Sequence, residues 1–353
     1  MRKLLLPSAL AVLLAAGAIG GTSALAQTKV SIASWGGAYS EAQRKAYYEP
    51  FIKDSGVQVL EDEWTGELSQ IRAQVETKNY KWHVVDVETN TVIAGCDEGV
   101  LERIDYAKLG VKKEDFLPGA AQDCGVGVMG WATVFGYDMD QIKGEGPKNW
   151  ADFWDVKKFP GKRSMYKQSP PGNLEFALLA DGVPIADIYK VLKTKEGVDR
   201  AFKKMDQIKP HVIWWEAGAQ APQLLADKEV VMTTAWNGRL YAAVKNEKKN
   251  FKIVWDGQMV DYEYWTIPKG HPEKELAYKF LAFTVRPDRH ADLSNYISYG
   301  PVLKAAVSDV DPQVLPHLPT APENVKVGFW VDSRFWADNR EALTERWSAW
   351  LAK

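Results

Sequence analysis

The stretch WDGQMVDYEYWTIPKG, which runs from Trp255 to Gly270, determines how the rest of the chain is organised. Two sets of side chains alternate along it: Val260, Tyr262, Tyr264 and Thr266 on one side, and Asp261, Glu263, Trp265 and Ile267 on the other. This period of two predicts a β-strand, which should end at Pro268 because proline cannot donate a ladder hydrogen bond. Acids and aromatics on a strand between two domains are typical of a ligand cleft. The alternative is an edge strand with solvated acids.

Length and composition limit the fold and the partners. A chain of 353 residues is too long for one ordinary core and suits two domains. The formal net charge is −2, which argues against nucleic acid as a partner, because binding it requires a basic surface. The chain contains 15 Trp, a number that favours an aromatic-lined pocket in addition to core packing.

The first 26 residues have the pattern of a signal peptide. A basic start, Met1-Arg2-Lys3, precedes the apolar run LLLPSALAVLLAAGAIGG, and Ala24-Leu25-Ala26 forms a cleavage site. We therefore expect residues 1–26 to be removed and the mature protein to start at Gln27. The competing interpretation, a membrane anchor, fits poorly because the run is short and broken by glycine. The mature protein is predicted to be soluble and periplasmic.

The two cysteines, Cys96 and Cys124, are expected to form a disulfide bond. An isolated pair in an exported protein favours oxidation. Two buried free thiols are the alternative. Metal binding is poorly supported, because the chain has no C-x-x-C motif and no paired histidine spacing.

Strands and helices alternate along the chain, and this predicts an α/β fold with mainly parallel sheets. KVSIAS and WHVVDV are strand patterns, and the pattern after Trp35-Gly36-Gly37 is helical. In parallel sheets ligands bind beyond the carboxyl ends of strands. The turn at Trp35 and Gly36 and the segment that begins at Glu88 both fall at such ends. The alternative for the glycines is that they only permit the turn.

Catalytic signatures are missing from the sequence. There is no G-x-S-x-G nucleophile elbow, no G-x-x-x-x-G-K-[ST] phosphate loop and no G-x-G-x-x-G at the start of a first helix. The spacing Gly125-x-Gly127-x-x-Gly130 lies inside an apolar strand pattern, where it does not predict dinucleotide binding. The chain is therefore not expected to be an enzyme, although an exported enzyme remains the alternative from a different functional class.

Seven segments, in order, resemble the spermidine/putrescine-binding class of periplasmic solute-binding proteins, the receptors of ABC importers. They are SIASWGGAYSEAQ, WHVVDVETN, AGCDEGVLERID, DCGVGVMGWATVFGYD, KNWADFWDVKKFPGKR, LLADKEVVMTTAWNGR and DYEYWTIPKG. The resemblance implies a two-lobe (type II) periplasmic-binding-protein fold, in which each lobe is a mainly parallel sheet flanked by helices and two crossing strands form the hinge. It also implies delivery of a small cationic or zwitterionic ligand to an inner-membrane ABC permease, by a monomer without cofactor or metal.

The resemblance further implies how the chain divides. The first lobe is expected to comprise residues 27–133 and 266–303, and the second lobe residues 134–265. Residues 304–353 are expected to form a C-terminal helical segment packed on the lobes.

Some ligand-binding positions of polyamine receptors are kept in this sequence. Their pockets combine aromatic walls with several carboxylates, because a polyamine offers only methylenes and cations. The aromatic of the first turn is Trp35, the tryptophan before the glycine turn is Trp236, and the acid of the returning strand is Glu263. Ligand contacts are also expected from Glu88 and, as a weaker candidate, from Trp215.

Other positions depart from the polyamine pattern. An acid is replaced by Gly37, another falls at Asn295, and a basic residue, Arg239, follows the Trp236 turn. The acid expected near Gly172 has no fixed counterpart, since Asn173 and Glu175 are both close by. A buried arginine facing the ligand favours a carboxylate partner and repels a second ammonium group. The alternative for Arg239 is a surface salt bridge on its helix.

These changes shift the expected ligand from a polyamine towards a single amine or an ω-amino acid such as 4-aminobutyrate. A polyamine receptor with rearranged acids is the main alternative. A ferric-ion receptor is a further one, but Tyr47-Tyr48 is the only adjacent tyrosine pair, and core packing explains it. Asp261 and Tyr262 are compatible with a purely structural role.

Overall fold

The computed structural model describes residues 28–353, so the predicted signal peptide, residues 1–26, lies outside the described residues. The strands in this range are β1 (Lys29–Ser34), β2 (Gln58–Glu63), β3 (Val84–Glu88), β4 (Ala121–Gln122), β5 (Gly125–Asp138), β6 (Arg163–Tyr166), β7 (Val212–Trp215), β8 (Met232–Trp236), β9 (Phe251–Thr266) and β10 (Phe329–Trp330).

Helices surround these strands. They are α1 (Gly37–Gln43), α2 (Glu49–Ser55), α3 (Leu68–Thr77), α4 (Thr89–Asp97), α5 (Tyr106–Leu109), α6 (Trp150–Trp154), α7 (Asn173–Ala180), α8 (Ile188–Leu192), α9 (Lys195–Ile208), α10 (Gln220–Ala226), α11 (Asn237–Asn246), α12 (Lys274–Thr284), α13 (Pro287–Tyr296), α14 (Pro322–Val325) and α15 (Ser333–Leu351). A π-helical segment, Arg44–Tyr48, joins α1 to α2. Short 3₁₀ turns occur at Lys113–Asp115, Ile185–Asp187, Lys209–His211, Lys304–Asp309 and Leu315–His317.

The sheet order is β2-β1-β3-β9-β5-β8-β6-β7, with β10 beside β9 and β4 beside β5. Strands β1, β2 and β3 are parallel to one another, and so are β6, β7 and β8. Between these two groups, β9 and β5 run antiparallel to each other and to their outer neighbours. The predicted α/β class, with mainly parallel groups and two crossing strands, is confirmed.

The crossing strands β5 and β9 are long enough to serve both lobes. They contain 14 and 16 residues and pair from Val126 and Trp265 at one end to Asp138 and Phe251 at the other. The register shifts twice along this ladder, once between Gly127 and Met129. Such irregularities bend a strand pair locally, so the same two strands can run from one lobe into the other.

Separate hydrophobic cores define the two lobes. One large cluster surrounds β1, β2 and β3, and two further clusters lie around β6, β7 and β8. Alternate residues of β5 divide between the latter two, with Phe135 and Tyr137 in one and Ala132 and Val134 in the other. The part of the sheet that lies in the second lobe is therefore covered on both faces, which accounts for the nearly continuous apolar sequence of β5.

The C-terminal helix α15 packs its aromatic side against the second lobe. Phe335, Trp336, Trp347 and Trp350 are buried in one of that lobe's clusters. The indole of Trp347 donates to the carbonyl of Lys167 at 2.6 Å. The other side of the helix faces α4 of the first lobe.

The predicted disulfide bond is confirmed. Cys96, near the end of α4, bonds to Cys124, just before β5, with the Cα atoms 5.6 Å apart. Within residues 28–353, no helix is both long and apolar enough to cross a membrane.

Candidate ligand-binding site

A small cavity lies between the lobes. Its walls come from the carboxyl ends of β1, β3 and β8 and from the middle of the β5–β9 pair. The lining residues are Trp35, Tyr39, Glu88, Met129, Trp131, Trp236, Arg239, Glu263 and Tyr299. As expected for parallel strands, the ligand loops gather at one edge of each sheet.

The first wall is formed by a tight turn after β1. Trp35 leaves the strand, and Gly36 adopts a left-handed φ of 66° before α1 begins. The positive φ is what favours glycine here, and a Cβ would in addition displace the flexible carboxylate of Glu63, 2.4 Å away. The turn therefore does more than permit a change of direction, because it places an indole at the cavity and, beside it, the Gly36 carbonyl that accepts a hydrogen bond from Arg239.

The aromatic wall is centred on Trp236, the last residue of β8. Its ring centroid lies 6.2 Å from that of Trp35, 6.2 Å from that of Trp131 and 5.5 Å from that of Trp215. Indole faces attract cations and shield methylene groups from water. This wall suits a short alkyl chain that carries an ammonium group.

The acidic side of the cavity is formed by two neighbouring strands. Glu88 of β3 and Glu263 of β9 are directly opposite each other in the antiparallel ladder. Glu263 is 3% exposed, and its Oε2 accepts a hydrogen bond from Trp35 Nε1 at 3.1 Å. Burial raises the pKa of Glu263 well above its usual range, and the nearby carboxylates of Asp86, Glu88 and Asp261 raise it further. A bound cation would relieve this repulsion.

Two further buried acids stand behind this side. Asp86 accepts hydrogen bonds from Ser34 at 3.1 Å and from Gln43 at 2.7 Å, and burial raises its pKa to about 7. Asp261 accepts from Thr89 at 2.5 Å, and burial raises its pKa to about 8. Burial thus favours the protonated form of both Asp86 and Asp261.

Arg239, in the first turn of α11, supplies a positive charge on the other side. It is 3% exposed, and its Nη1 donates to the carbonyl of Gly36 at 2.8 Å while Nη2 donates to that of Trp35 at 3.3 Å. Among the described residues its Nε has no hydrogen-bond partner. Burial lowers the pKa of the guanidinium. The side chain therefore joins the two lobes at the cavity and keeps one donor unused, instead of lying in a surface salt bridge.

A second chamber adjoins the first and shares Glu88, Trp131 and Trp236 with it. Trp215 and Asp261 lie in its wall, together with Gly172 and Asn173 from the turn before α7. The predicted Trp215 contact belongs to this chamber and not to the first cavity. Glu175 lies outside both linings, because its side chain is fully buried against Trp336.

Most of the predicted ligand residues meet at one place. Trp35, Glu88, Trp236, Arg239 and Glu263 all line the first cavity. Gly36 lies beside it and contributes its carbonyl to Arg239.

Asn295 requires a correction, because it lies outside both linings. It is exposed on α13, where its amide donates to Asp292 at 3.1 Å. The residue of this region that reaches the cavity is Tyr299, a few positions further on. The helix ends between the two positions, and the chain returns towards β5 through paired Gly130 and Gly300.

The sequence interpretation missed four lining residues: Tyr39, Met129, Trp131 and Tyr299. Met129 and Trp131 share one face of β5 because they are two positions apart. They could have been found from their register with Glu263 and Asp261, the residues opposite them on β9. No local signal marks Tyr39 or Tyr299, which pack edge to face with ring centroids 5.4 Å apart.

The ferric-ion alternative was considered for the tyrosine pair Tyr47-Tyr48. Residues 28–353 contain no group of three or more His, Cys, Asp or Glu side chains arranged to hold a metal ion. Tyr47 and Tyr48 are both buried in the core of the first lobe, as the packing explanation predicts.

Comparison with known proteins places this chain in a family. Residues 46–320 match the bacterial extracellular solute-binding protein family, and the chain belongs to it. The gamma-aminobutyric acid-binding protein of Pseudomonas aeruginosa is 46% identical over 324 residues, which are 92% of this chain and 91% of that protein. The putrescine/agmatine-binding protein of the same species is 26% identical, over 82% of this chain and 83% of its own length.

A solved structure supports the same assignment. A GABA receptor with 35% sequence identity superposes with a TM-score of 0.81, and the match covers 92% of this chain and 98% of the receptor. The chain is therefore a solute-binding protein with the two-lobe fold of the receptors that serve ABC transporters, as the segment order predicted.

Proposed function

We propose that this protein captures 4-aminobutyrate or a closely similar ω-amino acid in the periplasm and delivers it to an ABC permease. One observation carries the proposal: a cavity between the lobes has the buried carboxyl of Glu263 on one side, the buried guanidinium of Arg239 on the other, and indole walls between them. A zwitterion with a short methylene chain matches these three features together.

Each part of the ligand has a proposed partner. Glu263 binds the ammonium group, whose charge offsets the repulsion among the surrounding acids. Trp35 and Trp236 cover the methylene chain and contribute cation–π attraction, worth about 0.5–2 kcal/mol depending on desolvation. Arg239 binds the carboxylate through its unused Nε donor. The names of the 46% identical relative and of the superposed receptor support the same ligand class.

A polyamine is the second candidate. It is favoured by the number of acids near the cavity, since Asp86, Glu88 and Asp261 accompany Glu263. The putrescine/agmatine-binding relative also supports it, at the lower identity of 26%. Arg239 argues against it, because a second ammonium group at that end would meet a buried cation.

Calorimetric titration of the mature wild-type protein with 4-aminobutyrate and with putrescine tests the proposal. We expect tight binding of 4-aminobutyrate, weak binding of putrescine and recovery of the ligand unchanged. The Arg239→Met variant should lose most of its affinity for 4-aminobutyrate, whereas a polyamine receptor would bind putrescine equally well or more tightly after losing a nearby cation. Wild-type protein that binds putrescine tightly and ignores 4-aminobutyrate would overturn the proposal in favour of the second candidate.

A further inference from the structure

Arg340 of α15 contacts an acid of the cavity from behind. Its Nη1 lies 3.3 Å from Glu88 Oε2 and donates to Asn90 Oδ1 at 2.6 Å. Asn90 Nδ2 donates to the same Glu88 oxygen at 3.4 Å. The Asn90 amide therefore bridges the Arg340 guanidinium and the Glu88 carboxylate. The Arg340 and Glu88 side chains are 25% and 18% exposed, which means that solvent only partly screens the pair.

The second lobe holds Arg340 in this position. Three indoles of α15 donate to second-lobe acceptors: Trp336 to Glu175 at 2.7 Å, Trp347 to Lys167 at 2.6 Å and Trp350 to Asp206 at 2.7 Å. Glu88, by contrast, ends β3 and caps α4 in the first lobe. The Arg340–Glu88 pair therefore crosses from one lobe to the other, next to the ligand cavity.

The position of Arg340 allows it to change the charge of the cavity without occupying ligand space. Its side chain lines the gap between α4 and α15, outside both chambers, whereas Glu88 lines both of them. The acids near the cavity are Asp86, Glu88, Asp261 and Glu263, and Arg239 is the cation that lines it. In the gap, Arg340 lies with a second cation, Arg72, and with Glu67, Glu98 and Glu341. Arg239 lines the cavity and Arg340 does not, so a ligand carboxylate can contact Arg239 without contacting Arg340.

We propose that Arg340 is a specificity-determining residue, which neutralises Glu88 and so reserves the cavity for ligands with one ammonium group and one carboxylate. With Glu88 paired, Glu263 is the one other acid in the lining of the first cavity and remains to hold one ammonium group, while Arg239 remains to hold the carboxylate. A diamine needs a second unpaired acid, and Glu88 would provide it if Arg340 were absent. This inference rests on the proposed function, because it explains the choice between the two ligand classes considered there.

The test compares the ratio of the two dissociation constants, for 4-aminobutyrate and putrescine, in wild-type protein and in Arg340→Met. Removing the Arg340 guanidinium leaves the Glu88 carboxylate unpaired, so the net charge at the cavity becomes more negative by one. This change should favour the putrescine dication and disfavour the carboxylate of 4-aminobutyrate. We expect the ratio to shift towards putrescine by about tenfold or more. Arg340→Lys keeps the charge and should leave the ratio close to the wild-type value.

Two matched variants separate specificity from simple lobe closure. Arg334→Met removes another contact between α15 and α4, the 2.7 Å pair with Asp97, but touches no acid of the cavity. It should leave the ratio unchanged. Glu88→Gln combined with Arg340→Met should restore the ratio, since the freed acid is then absent.

Each outcome decides between the two roles. If Arg340→Met weakens both ligands by the same factor, Arg340 only holds the lobes together and the inference is wrong. The same holds if Arg334→Met shifts the ratio as much as Arg340→Met does. Failure of the proposed function has a different signature, because wild-type protein would then ignore 4-aminobutyrate before any variant is compared.

Discussion

At the scale of single residues, Glu263 carries more of the site than any other side chain. It is buried, receives a hydrogen bond from Trp35 and lies among three other carboxyl groups. Those neighbours disfavour the anionic form of Glu263, and a bound ammonium group would stabilise that form. Its position on a crossing strand keeps it at the boundary between the lobes.

Glu263→Gln should weaken 4-aminobutyrate binding by about 30-fold or more, because removing one partner of a buried charge pair costs about 2–5 kcal/mol. Isothermal titration calorimetry measures the change. Glu275→Gln is the control, since Glu275 is an exposed acid paired with Lys108 away from the cavity. Equal affinities for wild-type protein and Glu263→Gln would contradict the role assigned to Glu263.

The buried acids also predict how the stability of the ligand-free protein depends on pH. Burial raises the pKa of Asp86 to about 7 and that of Asp261 to about 8. The folded protein therefore binds protons that the unfolded chain has already released. The stabilisation that comes from the raised pKa of these two carboxyl groups is complete below about pH 4, the pKa of aspartate in the unfolded chain. It decreases as pH rises above that value and is lost once pH has passed 7 and 8.

We expect the free energy of unfolding to fall between about pH 6.5 and about pH 8.5, a window above the unfolded pKa of histidine. Urea denaturation at a series of pH values measures it. Asp261→Asn should flatten the decline, whereas Glu275→Gln should leave it as in wild-type protein. A wild-type stability that rises across this window would show that these acids are ionised in the folded state.

At the scale of elements, α4 connects the site to its surroundings. Glu88 precedes its first turn, Asn90 and Thr91 contact Arg340, and Cys96 near its end bonds to Cys124. The helix is therefore fixed at both ends, by the second lobe at one and by the approach to β5 at the other. Its position sets where Glu88 stands in the cavity.

Removing the disulfide bond through Cys96→Ser and Cys124→Ser should destabilise the protein by about 3–4 kcal/mol in the chain-entropy model. The bond joins residues separated by 28 positions, so it restricts a moderately long loop of the unfolded chain. Denaturant unfolding of the oxidised wild-type protein and of the double variant gives the difference. Alkylation of two thiols in denatured protein that has never been reduced would contradict the bond itself.

At the scale of the whole molecule, arginine side chains connect the lobes around the cavity. Arg239 of the second lobe donates hydrogen bonds to the carbonyls of Trp35 and Gly36 in the turn after β1. Arg340 and Arg334 of α15 form ion pairs with Glu88 before α4 and Asp97 at its end. The continuous connections between the lobes include the two long strands, β5 and β9. A strand pair that crosses between two lobes and contains register shifts is suited to act as a hinge about which the lobes open and close.

Saturating 4-aminobutyrate should therefore reduce the radius of gyration measured by small-angle X-ray scattering. The ligand is expected to stabilise the closed arrangement because it contacts both lobes, through Glu263 and Arg239. Glu263→Gln at the same ligand concentration should show a smaller change. An unchanged radius with a ligand that calorimetry shows to be bound would argue against hinge closure.

The sequence alone was sufficient to predict the alternation of strands and helices, the two crossing strands, the disulfide bond and five residues of the first cavity. The strands, the helices and the disulfide bond follow from local patterns: hydrophobic period, turn glycines and an isolated cysteine pair. Trp35 and Glu88 could be predicted because the carboxyl ends of parallel strands meet at one edge of a sheet. Trp236, Arg239 and Glu263 were expected from the resemblance to polyamine receptors. The division into lobes at residues 133 and 265, and the separate segment from residue 304, remain predictions.

Only the tertiary structure determined which of the remaining residues face the ligand. Tyr39 and Tyr299 approach the cavity from distant parts of the chain, and Asn295 turns away because its helix exposes that side. Arg340 and Glu88 are separated by 252 positions, and no local pattern relates them. Such contacts depend on how whole elements pack together, because the energy that fixes α15 comes from its buried indoles and not from the arginine that it carries to the site.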